Sequence, residues 1–299
     1  MKKSRIVVSL PNDNLYQHEQ ELVAKSTGER LGLDVQVLHA GDDAIAQSQQ
    51  VLQIIHSSGE STLGAIIVEP VSATGLRRVA EVAVEKRIAW VISNGHVDYI
   101  QHLRKSPQVP VFTVTQGQHE IGQLQGKQFG ALLPQGGAVL YIEGPNMSTV
   151  AVQRREGMES ARPQNIRITT IRGKWTEEGA YQSTAAWLRL ATSRAEKFDL
   201  VAGQTHELTL GAKRAFQKLE DPEQKAKWLG LPCIGNGIAS QAKPLVDQRV
   251  FVAAVITSVT MDLALRMLVR ALDTQVQPPD RNVAEMSSYP DLDKLRPLK

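Results

Sequence analysis

Short apolar runs rich in β-branched residues alternate along the chain with longer segments whose apolar residues recur at helical spacing. In the first third of the chain these runs occupy residues 6–8, 35–38, 65–68 and 90–92. Between the last two runs, apolar residues fall at i, i+3, i+4 and i+7, as one buried helix face requires: Leu76, Val79, Ala80 and Ala83. Strands alternating with helices in this way predict a parallel sheet with helices on both faces.

A second series of the same kind starts after Pro110. Its strands are predicted at residues 111–114, 138–142, 166–171, 198–201, 232–234 and 251–256. The segments between them carry apolar stripes that fit helices with one face on a sheet. A strongly amphipathic helix follows the last strand, and Pro278 with Pro279 ends helix formation before a polar tail.

Two such series in 299 residues predict two lobes of ordinary domain size. The predicted fold is α/β, with two Rossmann-like lobes that each hold a parallel sheet with helices on both faces. The predicted boundaries are 1–114 plus 258–276 for the N-terminal lobe and 115–257 plus 277–299 for the C-terminal lobe. A multi-strand hinge is expected near residues 109–116, 232–238 and 257–258.

Charge and cysteine content narrow the classes of partner. The 34 basic and 31 acidic residues leave a net charge of +3, which is too balanced for the basic surface that binds a phosphate backbone. No nucleic-acid partner is therefore expected. The single cysteine, Cys233, cannot form an internal disulfide. His206 and Glu207 are weak evidence for a metal, and we expect neither a metal nor a cofactor.

The start of the chain gives no clear targeting signal. The apolar run 6–10 is shorter than the roughly 7–15 residues of a signal peptide, and no run approaches the roughly 18 apolar residues of a membrane span. We expect a periplasmic location if Met1 follows a removed signal peptide, and a cytoplasmic one if Met1 is the native start.

Open parallel sheets bind ligands at the carboxyl ends of their strands, so polar loops that follow the predicted strands are candidate sites. After the first strand, Asp13 could simply help to cap a helix, whereas Tyr16 offers an apolar ring with a polar tip. Asn94 follows the fourth strand and provides donor and acceptor groups, although Asn-Gly is also a frequent turn pair.

Two further candidates lie in the second series. Arg154 and Arg155 stand near a helix start, where positive charge opposes the helix dipole. This cost indicates a role for one of them, with a surface salt bridge as the alternative. Trp175 lies between a strand and a helix among polar neighbours, which favours the wall of a cleft over the core.

Four stretches carry a family resemblance: residues 64–71, 154–158, 208–212 and 253–256. Together with the order of predicted elements, they resemble the type I periplasmic binding proteins of the ribose-binding group, whose fold also forms the core of lactose-repressor-type regulators. The likeness runs from about residue 5 to about residue 275. Such regulators carry a DNA-binding domain ahead of the core, and here the first core strand starts near residue 5, so direct DNA binding is not expected.

The resemblance implies the ligand contacts Asp13, Leu15, Tyr16, Asn94, Arg154, Trp175, Thr205, Gly237 and Ser258. Sugar binders of the group usually carry aspartate where Asn94 and Gly237 stand, asparagine at Thr205 and glutamine at Ser258. Aspartates accept paired hydrogen bonds from sugar hydroxyls. Their loss leads to the hypothesis that the ligand is not ribose, and that Arg154 pairs with a hydroxylated acid or another acceptor-rich ligand.

The expected function is that of a monomeric solute-binding protein with no catalysis. It would close on a small polar, sugar-like ligand between its lobes and present it to an ABC transporter permease or a signalling receptor. A cytoplasmic ligand sensor is one alternative. An enzyme using the same cleft is less favoured, because the chain lacks G-x-S-x-G, P-loop, HExxH and strand-linked G-x-G-x-x-G motifs.

Overall fold

The computed structural model describes residues 5–57, 63–95, 97–105, 109–146, 148–190, 193 and 196–298. The chain divides into two compact units, Met1–Gln116 with Val259–Ala284 and Gly117–Ser258 with Glu285–Lys299. Each unit is built around its own sheet. The predicted α/β fold, with two largely parallel sheets covered by helices, is confirmed.

The strands and helices alternate as the apolar pattern predicts, with bounds that extend several of the predicted runs. The strands are β1 Arg5–Leu10, β2 Asp34–His39, β3 Leu63–Val68, β4 Ala89–Ser93, β5 Val111–Gln116, β6 Gly137–Glu143, β7 Ile166–Arg172, β8 Leu200–Gly203, β9 Cys233–Ile238, β10 Ala253–Thr257, β11 Arg281–Ala284 and β12 Met286–Tyr289. The helices are α1 Leu15–Leu31, α2 Ala44–Ser57, α3 Arg77–Glu85, α4 Ile100–Leu103, α5 Gln118–Leu132, α6 Thr149–Ala161, α7 Glu177–Leu188, α8 His206–Gln217, α9 Pro222–Leu229, α10 Ala239–Asp247 and α11 Thr260–Thr274, followed by the 3-10 turn Leu292–Lys294.

The sheet of the first unit has the order β11-β5-β4-β3-β1-β2, and its pairings are parallel. The inner strands β1, β3 and β4 read as nearly continuous apolar runs because helices cover both faces of a parallel sheet. Val7 pairs with Gln36 on one side and Ile66 on the other. This order brings the carboxyl ends of β1, β3, β4 and β5 to one edge of the sheet.

The sheet of the second unit has the order β12-β10-β9-β8-β6-β7. Its pairings are parallel except for β12, which runs antiparallel to β10. One core cluster of this unit contains Trp228 stacked on Phe216, with ring centroids 5.1 Å apart. The carboxyl ends of β6, β8 and β9 meet at one edge, where the loops before α6 and α8 begin.

The last part of the chain differs from the predicted polar tail and from the predicted boundary. Residues 277–299 were expected in the second lobe, whereas β11 pairs in parallel with β5 of the first unit, Arg281 opposite Thr113. The predicted hinge segment 232–238 instead forms β9 inside the second sheet. The chain passes between units after Gln116, Ser258 and Ala284. Short edge strands held by backbone hydrogen bonds leave little apolar signal in the sequence.

None of the described helices combines the length and the apolar character that a bilayer crossing requires.

Candidate functional site

A cluster of polar side chains lies at the carboxyl edge of the first sheet; we call Tyr16, Gln17, Glu69, Asn94 and Gln116 the first-unit cluster. Asn14 starts α1 immediately after the β1 loop, because its side chain accepts a hydrogen bond from Gln17 N at 2.9 Å. This cap places Tyr16 and Gln17 in the first helical turn. The remaining members follow β3 and β4 or end β5.

The Tyr16 hydroxyl is the centre of this cluster. It accepts hydrogen bonds from Asn94 Nδ2 at 2.7 Å, Gln20 Nε2 at 2.9 Å and Gln116 Nε2 at 3.1 Å. Gln20 is fully buried and is fixed in turn by Thr260 Oγ1 at 2.8 Å. The structure therefore brings together Tyr16 and Asn94, two residues that sequence analysis predicted separately, and holds the phenol rigidly.

Asn94 is both a turn residue and a hydrogen-bonding member of the cluster, the two alternatives that the sequence left open. Its φ of +52° is left-handed, which asparagine tolerates better than most residues. The side chain bridges the cluster, since Oδ1 accepts from Gln116 N at 3.3 Å and Nδ2 donates to Glu69 Oε2 at 3.1 Å as well as to Tyr16. The turn thus positions an amide that joins the start of α1 to the ends of β3 and β5.

Glu69 was missed as a site residue by the sequence analysis. It directly follows β3, and Gln17 Nε2 donates to its Oε1 at 2.9 Å. Burial raises the pKa of the Glu69 carboxyl to about 7, and the hydrogen bonds from Gln17 and Asn94 offset only part of this effect. The sequence did contain a signal that could have identified it: a glutamate that follows the apolar run 65–68 and precedes Pro70.

Asp13 and Leu15 are placed differently from Tyr16. Both are exposed, Leu15 to 72%. They adjoin the first-unit cluster in sequence, but its hydrogen bonds run through Tyr16 and Gln17. A leucine exposed to this degree contributes little to the core of its own unit.

Arg154 is the buried one of the two adjacent arginines in the second unit. Ser148 caps α6 by accepting from Ala151 N. One turn later, Arg154 is only 7% exposed, and its Nε donates to Gln118 Oε1 at 2.8 Å. Arg155 instead forms an ion pair with Glu143 at 3.4 Å. The salt-bridge alternative therefore applies to Arg155, and the buried arginine is Arg154.

A close approach of α5 and α6 helps to place Arg154. A Cβ at Gly157 would come within 1.9 Å of His119 O, so only glycine allows the two helices this contact. The approach brings Gln118, at the start of α5, within hydrogen-bond distance of Arg154.

Gln204 connects Arg154 to the ends of β6 and β9. Its backbone carbonyl accepts from Arg154 Nη1 at 2.6 Å and from Asn236 Nδ2 at 3.1 Å. Its side chain accepts from Gly144 N at 3.0 Å and donates to Ala151 O at 2.9 Å. We call Arg154, Trp175, Gln204 and Asn236 the second-unit cluster. Within the part of the chain that the structure describes, the buried Asn236 Oδ1 lacks a hydrogen-bond partner.

Trp175 lies against the end of β6 and is partly exposed. A Cβ at Gly144 would come within 2.3 Å of its ring. The guanidinium carbon of Arg154 is 5.9 Å from the ring centroid, within the range of a cation–π contact. The structure therefore brings together Arg154 and Trp175, with the indole face partly packed on the core and partly open.

The three other predicted contacts of the second unit have different surroundings. Thr205 caps α8 by accepting from Leu208 N at 3.3 Å. Gly237 packs beside His206, whose Nδ1 would be 2.7 Å from a Cβ at that position. Ser258 is exposed, and its backbone N donates to Glu285 O at 3.2 Å. Thr205 and Gly237 thus border the second-unit cluster, whereas Ser258 is exposed and its backbone pairs with that of Glu285.

Acidic, histidine and cysteine side chains do not gather in threes that could hold a metal ion within the described residues.

A comparison with family models decides the family. The model of the periplasmic binding protein domain matches residues 6–275. The chain belongs to this family of periplasmic binding proteins. The predicted resemblance to periplasmic binding proteins is confirmed. No curated protein matches the sequence significantly.

Solved structures of periplasmic binding proteins share the fold over nearly the whole chain. An ABC transporter solute-binding protein from Actinobacillus succinogenes 130z with bound D-allose has a TM-score of 0.77 and 17% identity, covering 98% of this chain and 99% of the other. A periplasmic ribose ABC transporter protein from Conexibacter woesei has a TM-score of 0.74 and 16% identity, with 96% and 91% covered. The Caulobacter myo-inositol binding protein has a TM-score of 0.70 and 19% identity, with 95% and 91% covered.

This periplasmic binding protein keeps a carboxylate at the first sheet edge, but on a different strand. Asn94 stands where the resemblance implies an aspartate, and its amide contacts Glu69 Oε2 at 3.1 Å. In the second unit, His206 lies beside Gly237, the other position that the resemblance assigns to an aspartate. The acidic character of the first-unit cluster therefore comes from the end of β3 rather than the end of β4.

Proposed function

We propose that this periplasmic binding protein is a solute-binding protein without catalytic activity, whose ligand is small, polar and sugar-like. The single observation that carries the proposal is that each unit gathers rigidly held polar and aromatic side chains at the carboxyl edge of its sheet. In open parallel sheets this is the edge at which ligands bind. The solved relatives of the same fold include proteins with bound D-allose and myo-inositol.

The chemistry of both clusters suits a molecule rich in hydroxyl groups. Amides such as those of Asn94 and Gln116 offer donors and acceptors side by side, as hydroxyls require. The partly exposed rings of Tyr16 and Trp175 provide apolar faces next to polar groups. Arg154 adds a buried, permanently charged donor to the second-unit cluster.

The family supports a proposal for the partners and the location. Binding would favour one arrangement of the protein over others, and a membrane partner would recognise that arrangement. An ABC transporter permease is the partner we propose, with a receptor as the signalling counterpart; one relative is the fructose-binding periplasmic domain of a hybrid two-component system. We propose a periplasmic location and a monomeric state.

Titration calorimetry with D-ribose, D-allose, D-fructose and myo-inositol tests this proposal. A ligand should bind with one-to-one stoichiometry and should be recovered unchanged. Asn94→Ala in the first unit or Arg154→Met in the second should weaken its binding by about tenfold or more, because each variant removes hydrogen bonds that the ligand or its contacts use. Arg189→Met, which removes an exposed arginine at the end of α7, is the matched control.

Two results would contradict the proposal. Conversion of the ligand to a product would indicate an enzyme. Unchanged affinity in both cluster variants, each folded by circular dichroism, would place the ligand elsewhere on the protein.

A further inference from the structure

The backbone around Glu69 is held in place on both sides. Glu69 N donates to Ser9 O at 2.9 Å, and Glu69 O accepts from Gln47 Nε2 at 2.9 Å. Pro70 follows, and Gly95 packs so closely against it that a Cβ at residue 95 would come within 2.7 Å of Pro70 Cγ. The carboxylate therefore stands at a fixed place in the first-unit cluster.

The side-chain partners of this carboxylate are neutral. Gln17 donates to one oxygen at 2.9 Å and Asn94 to the other at 3.1 Å. A carboxylate offers about four acceptor sites, so acceptor capacity remains on both oxygens. In the described part of the chain, no lysine, arginine or histidine forms an ion pair with Glu69.

In other carboxylates of the same protein, the negative charge is compensated by ion pairs with arginines. The buried Glu143 forms ion pairs with Arg155 and Arg172, at 3.4 and 3.0 Å. The half-buried Asp262 pairs with Arg30 and Arg266, at 2.9 and 2.7 Å. Buried charges are normally paired, since an uncompensated charge away from water is costly. The partly buried Glu69 lacks such a charged partner among the described residues, and it stands at the candidate ligand site.

Building on the proposed function, we propose that Glu69 selects a ligand that carries a protonated amine beside its hydroxyl groups, the chemistry of an amino sugar or amino polyol. An ammonium group brings three donors and the missing positive charge. Its hydrogen bonds to the carboxylate join two opposite charges, whereas a hydroxyl leaves the negative charge uncompensated. The Asn94 amide and the Tyr16 ring adjoin the carboxylate and suit the hydroxyls and carbon skeleton of such a ligand.

The competing interpretation is that Glu69 replaces the aspartate missing at position 94 and accepts hydrogen bonds from neutral hydroxyls. The two interpretations differ in what removal of the charge does. If Glu69 serves an ammonium, its loss affects amine ligands selectively. If Glu69 serves hydroxyls, its loss affects neutral and amine ligands alike.

Titration calorimetry at pH 7 separates them. The probes are D-glucosamine, D-galactosamine and D-mannosamine, each compared with its parent hexose and its N-acetyl derivative. We expect at least one hexosamine to bind about tenfold or more tightly than both of its neutral counterparts. Glu69→Gln should remove that difference, because it should weaken binding of the hexosamine by about tenfold more than it weakens binding of the parent hexose. Asp34→Asn, an equal charge change at the exposed start of β2, should change neither.

Proton exchange gives a second readout that a merely structural role would not change. Because the pKa of Glu69 is about 7, the free protein at pH 7 holds roughly half a proton on this carboxyl. An ammonium ligand favours the charged form and should release that fraction, measured as a dependence of the binding heat on the ionisation enthalpy of the buffer. Among the described residues, the side chains that hydrogen-bond to residue 69 are those of Gln17, Gln47 and Asn94, and none of them titrates. Glu69→Gln should remove the contribution of this carboxyl, so the number of protons released should fall by about that fraction.

The outcomes distinguish this inference from the proposed function. If parent hexoses bind and hexosamines bind no better, or if Glu69→Gln weakens both equally, the amine inference is overturned and the solute-binding function stands. Suppose instead that the wild-type protein binds none of the hexosamines, none of their parent hexoses and N-acetyl derivatives, and none of D-ribose, D-allose, D-fructose and myo-inositol. The proposed function is then contradicted, and the amine inference falls with it.

Discussion

The indole ring of Trp175 packs directly on the backbone of Gly144, so closely that a Cβ at residue 144 would come within 2.3 Å of Cζ2. Gly144 directly follows β6, and its N donates to the buried Gln204 side chain at 3.0 Å, which fixes its backbone. The position of the ring, 5.9 Å from the guanidinium carbon of Arg154, therefore depends on the absence of a side chain at residue 144.

Gly144→Ala should displace the Trp175 ring and thereby weaken ligand binding. We expect a loss of about tenfold in affinity, together with about 1–3 kcal/mol of stability, because the added methyl cannot be accommodated without a shift of the ring or the strand end. Calorimetric titration and urea denaturation measure the two effects. Gly75→Ala is the control, since a Cβ there meets Ser72 Cβ at an ordinary 3.4 Å. Unchanged affinity in a folded Gly144→Ala protein would exclude Trp175 from the ligand site.

Glu69 should make the stability of the protein depend on pH. Burial raises its pKa from 4.5 to about 7 in the folded protein, so the folded state binds the proton more tightly than the unfolded state. This contribution is fully present below about pH 4.5 and is lost as pH rises through 7. The full change is roughly 3 kcal/mol.

Urea denaturation of the wild-type protein and of Glu69→Gln at pH values from 4 to 8 tests this dependence. The free energy of unfolding of the wild type, relative to that of the variant, should fall as pH rises across this window. Other groups titrate in both proteins and cancel in the difference. A difference that stays constant with pH would show that the carboxyl is not perturbed by burial.

Trp228 should be one of the most important side chains for the stability of the second unit. It is 1% exposed, stacks on Phe216 at a tilt of 19° and contacts the ring of Trp187 edge-on. Trp228→Ala should cost about 3–5 kcal/mol because it leaves a large cavity. Trp228→Phe, which keeps a stacked ring, should cost clearly less. Equal losses for the two variants, measured by urea denaturation, would contradict a specific role for the aromatic contacts.

Cys233 should be protected from thiol reagents in the folded protein. The residue is 2% exposed on β9, and burial raises the pKa of its thiol to about 11. The reactive thiolate is therefore both scarce and inaccessible at pH 8. Labelling with 5,5′-dithiobis(2-nitrobenzoate) should be at least about a hundredfold slower in buffer than in 6 M urea. Rapid labelling of the native protein would show that β9 opens readily.

The strands of the first sheet were predictable because each is a short apolar run. Residues 65–68 and 90–92 fall inside β3 and β4, and both strands are buried on two faces. By contrast, β11 and β12 have the polar sequences RNVA and MSSY and were not predicted. Each of them forms by pairing with a neighbouring strand: β11 hydrogen-bonds to the backbone of β5, and β12 hydrogen-bonds to the backbone of β10. No local pattern in the last part of the chain records those partners.

The candidate site was predictable where a residue was unusual for its place. Tyr16 and Asn94 stood out in strand-end loops, and Arg154 stood out near a helix start. Gln204 and Gln116 did not, because a glutamine at the end of a strand is unremarkable until its partners are known. Glu69 was visible as a charge beside Pro70, but its neutral surroundings were not.

The sequence by itself determined the alternation of strands and helices, the α/β class and the family, because the spacing of apolar residues is a local property of the chain. Only the tertiary structure decided which polar side chains meet. Tyr16 contacts Asn94 and Gln116, which lie 78 and 100 residues away along the chain. Such contacts depend on the order in which strands pair, and that order is set by packing of the whole sheet rather than by any one segment.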